Sequence, residues 1–252
     1  MLSQSMTELL QIEGLWMLGA AALVAGLLRG FSGFGTAMVY LPIAAQVIPP
    51  IWVLITLIMM DLLGPIPALP KAWREGDPAD VLRLSAGSVV GLPIGIMLLL
   101  VMAPETFRYA VSFLTLALVA ALAGGLRYNG LLSRKMVYGT GGAAGLIGGA
   151  VGLAGPPVIM LYMASPMGAG RIRANILMYL MAFDILTLGF YMVGGLMVSQ
   201  AVILGLMVSV PYLIAVQIGA WMFNPSYGRT YRAVAYAIIA VSAVMGLPVW
   251  NG

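Results

Sequence analysis

The sequence predicts an all-α integral membrane protein: two inverted repeats of about five membrane segments each, with a Gly-rich broken hairpin at the start of each repeat. Three observations lead there. Of 252 residues, 62% are apolar and 8% are charged, against roughly 45–50% and about 25% in soluble domains. The apolar residues run on without the alternation of a barrel strand, so helices must satisfy the backbone within hydrocarbon. The chain also repeats itself at a spacing near 120 residues.

Apolar runs broken by charge, Gly or Pro give ten segments: 9–29, 36–48, 51–69, 81–101, 108–126, 136–153, 156–166, 174–193, 201–222 and 229–248. The first opens without the basic region of a cleavable signal, since Arg29 is the first basic residue, and is expected to stay in the mature protein. Segments 36–48 and 156–166 are short against the roughly 20 residues of one crossing, and each follows a Gly-rich break. Segments 51–69 and 174–193 each hold one aspartate, Asp61 and Asp184. Segments 81–101 and 201–222 bring Gly95 and Gly219, and 108–126 and 229–248 close the two halves. Polar breaks fall at 70–80, 103–106, 127–135, 167–173 and 224–230, leaving no room for a soluble domain.

The halves correspond residue to residue. Gly26, Gly30 and Gly33 recur as Gly145, Gly149 and Gly152 at an offset of 119, Asp61 recurs as Asp184 at 123, and Gly95 as Gly219 at 124. The predicted organisation is therefore a first transmembrane repeat at 1–126, a cytoplasmic connecting loop at 127–135 and a second repeat at 136–252, within one structural domain. Basic residues set the orientation. If each short segment pairs with its predecessor in a hairpin that enters and leaves on one side, each half crosses an odd number of times. Ten of the twelve Lys and Arg then share one face, with Arg108 opposed and Arg29 inside the hairpin. That ten-to-one split obeys the positive-inside rule and puts both termini outside the cytoplasm.

Composition excludes whole classes of chemistry. Cys and His are both zero, which removes disulfides, thiol catalysis, His-ligated haem and nearly all zinc sites. No cofactor or metal is expected, and the chain is not expected to be an enzyme. A P-loop is missing, so ATP drive would need another chain. The net charge of +4 sits in loops, where it reads as topology rather than as affinity for nucleic acid.

The two breaks carry the candidate site. The first reads Arg29-Gly30-Phe31-Ser32-Gly33-Phe34-Gly35-Thr36, and the second ends Gly152-Leu153-Ala154-Gly155-Pro156-Pro157. Glycine permits tight turns and close backbone approach, and Pro suits the first turn of a helix. With first arms of about 15 apolar residues, the tips are expected near the midplane, where broken helices present N–H groups to anionic substrates. Substrate contacts are expected at Gly30, Gly33, Gly35, Gly152, Gly155, Pro156 and Pro157, whereas Gly26 and Gly145 read as helix-packing positions. Arg29 offers a planar fork that matches an oxyanion, and Ser32, Thr36 and Asn175 can add neutral hydrogen bonds. Asp61 and Asp184, expensive at depth, are expected to face the interior and to couple transport to protons. Arg171 and Arg173 read as topology signals, and Tyr40 and Tyr162 as packing.

These residues resemble the TauE/SafE sulfite and organosulfonate exporters, whose halves each open with a G-x-x-G-x-G-type break and whose second break ends in Gly-Pro-Pro, as Gly155-Pro156-Pro157 does here. The chain departs from the commoner Gly-Gly-Gly of the first break, having Gly33-Phe34-Gly35-Thr36. The resemblance covers essentially the whole chain and implies a secondary transporter that exports a small anion (sulfite, an organosulfonate or a related oxyanion) across the bacterial inner membrane. The partners it implies are that anion and the lipid bilayer; a homo-oligomer is compatible with the sequence. Two rival readings exist. An intramembrane aspartyl protease would use two midplane aspartates, but Met60-Asp61 and Phe183-Asp184 lack the Gly-x-Gly-Asp context. The other rival is a non-transporting membrane partner of a complex.

Overall fold

A computed structural model describes Leu9 and residues 11–124, 132–163, 165, 167–222 and 228–250. Its regular structure among these residues is helical: α1 (Leu15–Ser32), α2 (Thr36–Ala44), α3 (Pro50–Leu63), α4 (Leu69–Glu75), α5 (Pro78–Val101), α6 (Pro104–Ala123), α7 (Arg134–Val151), α8 (Gly155–Met163), α9 (Ala169–Val193), α10 (Ser199–Met222) and α11 (Gly228–Met245), with 3-10 turns at Ile66–Ala68 and Pro248–Trp250. Each of the ten apolar segments has its helix. Among the described residues, six stretches are long and apolar enough to cross a membrane, namely α1, Pro50–Glu75, α5, α6, the Gly170–Val193 part of α9, and α10. Trp16, Trp73 and Trp221 are exposed on such stretches, as expected of indoles at a lipid interface. The expected termini, and Arg127 of the connecting loop, lie outside the described residues.

Two polar breaks differ from expectation. The stretch 70–80 reads as a loop, yet α4 runs to Glu75 and the break falls at Gly76–Asp77. Pro70 sits in the first turn of α4, where its missing N–H leaves no intrahelical bond unmade. Asp77 then caps α5, its carboxylate accepting from the N–H groups of Ala79 (3.1 Å) and Asp80 (3.2 Å). Likewise α9 begins at Ala169, so Arg171 and Arg173 lie within its first turns, and Arg171 pairs with Asp77 at 2.9 Å.

The chain forms two compact units. One comprises Met1–Gly64, Ala103–Val119 and Leu196–Gly252, the other Pro65–Met102 and Ala120–Gly195, so each draws on both halves of the sequence. In the first unit α10 packs on α1 and α3, and α11 on α2. In the second α5 packs on α7 and α9, and α8 on α7. The pair α1/α10 thus has its counterpart in α7/α5.

Both pairs are joined through glycine rows four residues apart, the spacing of a helix ridge. In the first unit, a Cβ on Gly26 or Gly30 would overlap the carbonyl of Tyr212 or Val216, and one on Gly219 that of Leu27. In the second, Gly87, Gly91 and Gly95 lie under the carbonyls of Tyr138, Gly142 and Leu146, and Gly145 returns the contact at Ser88. Hydrocarbon gives helices no hydrophobic reason to associate, so close van der Waals packing between small residues must supply it. Ser88 adds a polar tie. Its hydroxyl lies 2.9 Å from the Tyr179 hydroxyl and 2.9 Å from the Gly141 carbonyl. With Tyr179 donating, the Ser88 proton is left for Gly141, and α5, α7 and α9 are held at one point.

Gly91→Leu is expected to force α5 from α7 and destabilise by about 1–3 kcal/mol or more. Gly139→Ala and Gly189→Ala, where an added Cβ meets nothing within 4 Å, should be neutral or stabilising by up to about 1 kcal/mol. Thermal unfolding in detergent, followed by monodispersity, distinguishes the two classes.

Candidate functional site

The first break is set by backbone geometry. Helix α1 stops at Ser32 because Gly33 turns left-handed (φ 82°), its N–H bonding back to the Arg29 carbonyl. Gly35 is left-handed too (φ 99°), and α2 begins after it with no side-chain cap on its first turn. The Ser32 hydroxyl stays local, 2.6 Å from the Leu28 carbonyl and 2.8 Å from that of Phe34. It seals the break. Gly30 lies against the α10 backbone, so its place in the fold is that of a packing glycine.

Arg29 stands in the last turn of α1, the end of a helix that favours a cation. Its Nη1 lies 3.3 Å from Asp61 Oδ1 and 3.3 Å from Thr36 Oγ1. The Tyr212 hydroxyl is 3.2 Å from the same Asp61 oxygen and 3.2 Å from Thr36 Oγ1. One assignment of protons satisfies all four contacts. Arg29 Nη1 spends one hydrogen on Asp61 and one on Thr36, Thr36 donates to Tyr212, and Tyr212 donates to Asp61. The result is a closed ring drawn from the end of α1, the start of α2, α3 and α10. Only 13% of the Arg29 side chain and 12% of the Asp61 side chain are exposed, so the pair is held largely out of solvent.

Asp61 stands near the end of α3, and Pro65 follows four residues on. Proline has no N–H, so it cannot donate to the Asp61 carbonyl as the next helical residue would. The run from Pro50 to Glu75 is therefore interrupted just beyond the carboxylate.

The second break has the same backbone and different chemistry. Gly152 is left-handed (φ 78°) and closes α7 onto the Gly148 carbonyl. Helix α8 then opens with Gly155-Pro156-Pro157, and two of its first three residues lack an N–H. At the offset of 119, Arg29 corresponds to Gly148, against which the Phe183 ring packs. Asp184 is buried in the uninterrupted α9. Asn175 is buried on the same helix, nine residues earlier, about 14 Å along the axis. It accepts the Asp77 N–H at 2.6 Å, which ties it to the start of α5.

Three of the sequence-selected residues, Arg29, Thr36 and Asp61, thus meet in the first unit, while Gly152, Gly155, Pro156, Pro157, Asn175 and Asp184 belong to the second. Tyr212 carries no charge and lies in no local motif; its signal in the sequence is a phenol in the apolar run 201–222, 124 residues after Ser88. Among the described residues no three Asp, Glu, His or Cys come together as metal ligands.

Residues 18–246 match the sulfite exporter TauE/SafE family. The chain belongs to this family. It is therefore a membrane transport protein by kinship, and TauE/SafE membership gives the aspartyl-protease reading no support. No curated protein and no solved structure matches the chain.

The ring makes a prediction about stability. Arg29→Gln leaves the Asp61 carboxylate buried without its cation and should cost about 3 kcal/mol, the lower end for breaking a buried pair. Adding Asp61→Asn to it should recover much of that loss, because both charges are then gone. Chemical unfolding of the single and double variants in micelles gives the coupling.

Proposed function

We propose that this TauE/SafE member is a secondary transporter that exports a small anion, a sulfite, organosulfonate or related oxyanion, across the bacterial inner membrane with proton coupling. The observation that carries the reading is the guanidinium of Arg29, held away from solvent and neutralised by Asp61. An anion in hydrocarbon needs compensating charge, and Arg29 offers it in a fork that suits oxyanions. The first turn of α2, uncapped by any side chain, begins at Thr36, which touches Arg29. Its N–H groups add the partial charge of a helix N-terminus. The prolines of α8 make the second break the poorer donor, so the anion site is placed on the first.

Asp61 is then an internal counter-ion that the substrate replaces. Once the anion takes Arg29, the carboxylate is left buried among Tyr212 and apolar neighbours, where an unpaired charge is costly. Proton uptake by Asp61 relieves this, and anion and proton load together. Asp184 is the second coupling carboxylate in this reading. A nine-residue α2 spans about 14 Å, half the hydrocarbon thickness. That length supports a break near the midplane and the inverted, odd-crossing repeats, with both termini outside the cytoplasm.

In proteoliposomes loaded with sulfite, sulfate or a panel of organosulfonates, Arg29→Gln should lower flux about 10- to 100-fold, the worth of a hydrogen bond to a charged group. Arg29→Lys should restore part of it. Asp61→Asn and Asp184→Asn should flatten the pH dependence of flux, and full pH-dependent flux in both variants would remove the coupling role. Unchanged flux in Arg29→Gln would take Arg29 out of the site. Orientation is tested separately, because every introduced thiol is unique in this chain. Cysteine in place of Glu105 or Ser199 should react with an impermeant reagent outside cells, and in place of Glu75 or Ser133 only after permeabilisation. Labelling of the Glu75 and Ser199 positions from one side would overturn the inverted arrangement.

A further inference from the structure

Helix α6 carries three polar side chains with buried atoms that the ring described above does not use. The Nε and Nη2 atoms of Arg108 are buried and have no hydrogen-bond partner among the described residues, and the same is true of Ser112 Oγ and Thr115 Oγ1. Both hydroxyl residues are fully buried. Positions i, i+4 and i+7 share one face of a helix, so the three stack in a column over two turns.

Such a column is unusual inside this molecule. A buried Ser or Thr in a helix ordinarily returns its proton to the carbonyl four residues back. Thr187 and Ser209 do so here, at 2.8 and 2.7 Å. Ser112 and Thr115 do not. Nor does Arg108 pair with a carboxylate: the ion pairs among the described residues use Arg29, Lys71, Arg83 and Arg171. Buried donors left unmade are costly, and guanidinium donors more so than neutral ones. A ligand that is anionic, small and rich in oxygen acceptors would satisfy the guanidinium and both hydroxyls at once.

We propose that Arg108, Ser112 and Thr115 form a second anion subsite, on α6, for a sulfur oxyanion or a sulfonate head group. The planar fork of Arg108 takes two oxygens, and the hydroxyls below it take the third. The subsite lies in the same compact unit as Arg29. The proposal rests on the anion-transport reading. In the orientation given there, Arg108 is the one basic residue on the non-cytoplasmic side, which puts the subsite toward the outer end of the path.

The lack of native cysteine permits a direct test. Ser112→Cys and Thr115→Cys, reconstituted in liposomes, are treated with 2-sulfonatoethyl methanethiosulfonate and with its trimethylammonioethyl counterpart. Each rate is divided by that reagent's rate with a free thiol. An anion subsite favours the sulfonate reagent by at least about tenfold, the effect of a nearby unit charge in a weakly polar medium. Methanesulfonate should slow the reaction, Arg108→Gln should abolish the preference, and Arg108→Lys should keep it. Equal normalised rates, a preference for the cation, no slowing by methanesulfonate, or no reaction at either thiol overturns the subsite. If Arg108→Gln fails to fold, the reagent preference and Arg108→Lys decide the matter. Flux of sulfite and sulfonates in the unaltered protein is measured alongside. Its absence removes the transport reading, whereas normal flux with no reagent preference removes the α6 subsite alone.

Discussion

A guanidinium placed among apolar helices must be neutralised within a few ångströms, and the Arg29–Asp61 contact is the constraint on which the first unit depends. Satisfying it calls on four elements. Helix α1 has to end where Arg29 can turn inward, which Gly33 achieves by leaving the helix left-handed. Helix α2 has to begin at once so that Thr36 reaches Nη1. Helix α3 delivers the carboxylate. The last link, Tyr212, reaches the ring because Gly26 and Gly30 let the α10 backbone come to rest on α1, Gly26 lying directly under the Tyr212 carbonyl. The glycine row and the polar ring are therefore parts of one arrangement. A side chain at Gly26 would push away the residue that closes the ring three positions further along.

The second unit keeps the plan of contacts and drops the guanidinium. Gly148 stands at the position corresponding to Arg29, with the Phe183 ring filling the space. The neutral contact of Ser88 with Tyr179 ties α5 to α9 where Tyr212 ties α10 to Asp61. Two prolines open α8 where α2 opens with Thr36, Ala37 and Met38. The duplicated architecture thus carries unequal chemistry at its two breaks.

Much of this is legible in the sequence, for identifiable reasons. Hydropathy is a local property, so all ten segments can be read, including the nine-residue helices whose shortness is itself a signal. The breaks at Gly33 and Gly152 are legible because a left-handed residue needs glycine. Arg29, Thr36 and Asp61 stand out as polar residues in apolar surroundings. Tyr212 does not, since its partner Asp61 is 151 residues away and tyrosine is at home in a membrane helix. The partner of Asn175 is hidden for a related reason. Its polarity marks it, and the sequence does not show that its amide oxygen accepts the Asp77 N–H across 98 residues. The boundary at residue 70 is misplaced because charge there resembles a loop, although Pro70 and the exposed Lys71–Glu75 pair suit a short helix. The division into compact units has no local signature, because each unit is assembled from segments far apart in the chain.

The ring also constrains any cycle it takes part in. As drawn, it contains one cation and one anion, and its net charge is zero. If a monovalent anion displaces Asp61 and the carboxylate takes a proton, the site still holds one cation, one anion and no net charge. If the carboxylate stays ionised, the loaded site carries an extra negative charge within a medium that penalises it heavily. That charge would also couple to the membrane potential at about 2.3 kcal/mol per 100 mV. Holding the site neutral in both states thus requires that the anion bring a proton with it. Asp61 can receive that proton without leaving the ring: with the hydrogen on Oδ2, Oδ1 still accepts from Tyr212, and Thr36 still donates to Tyr212.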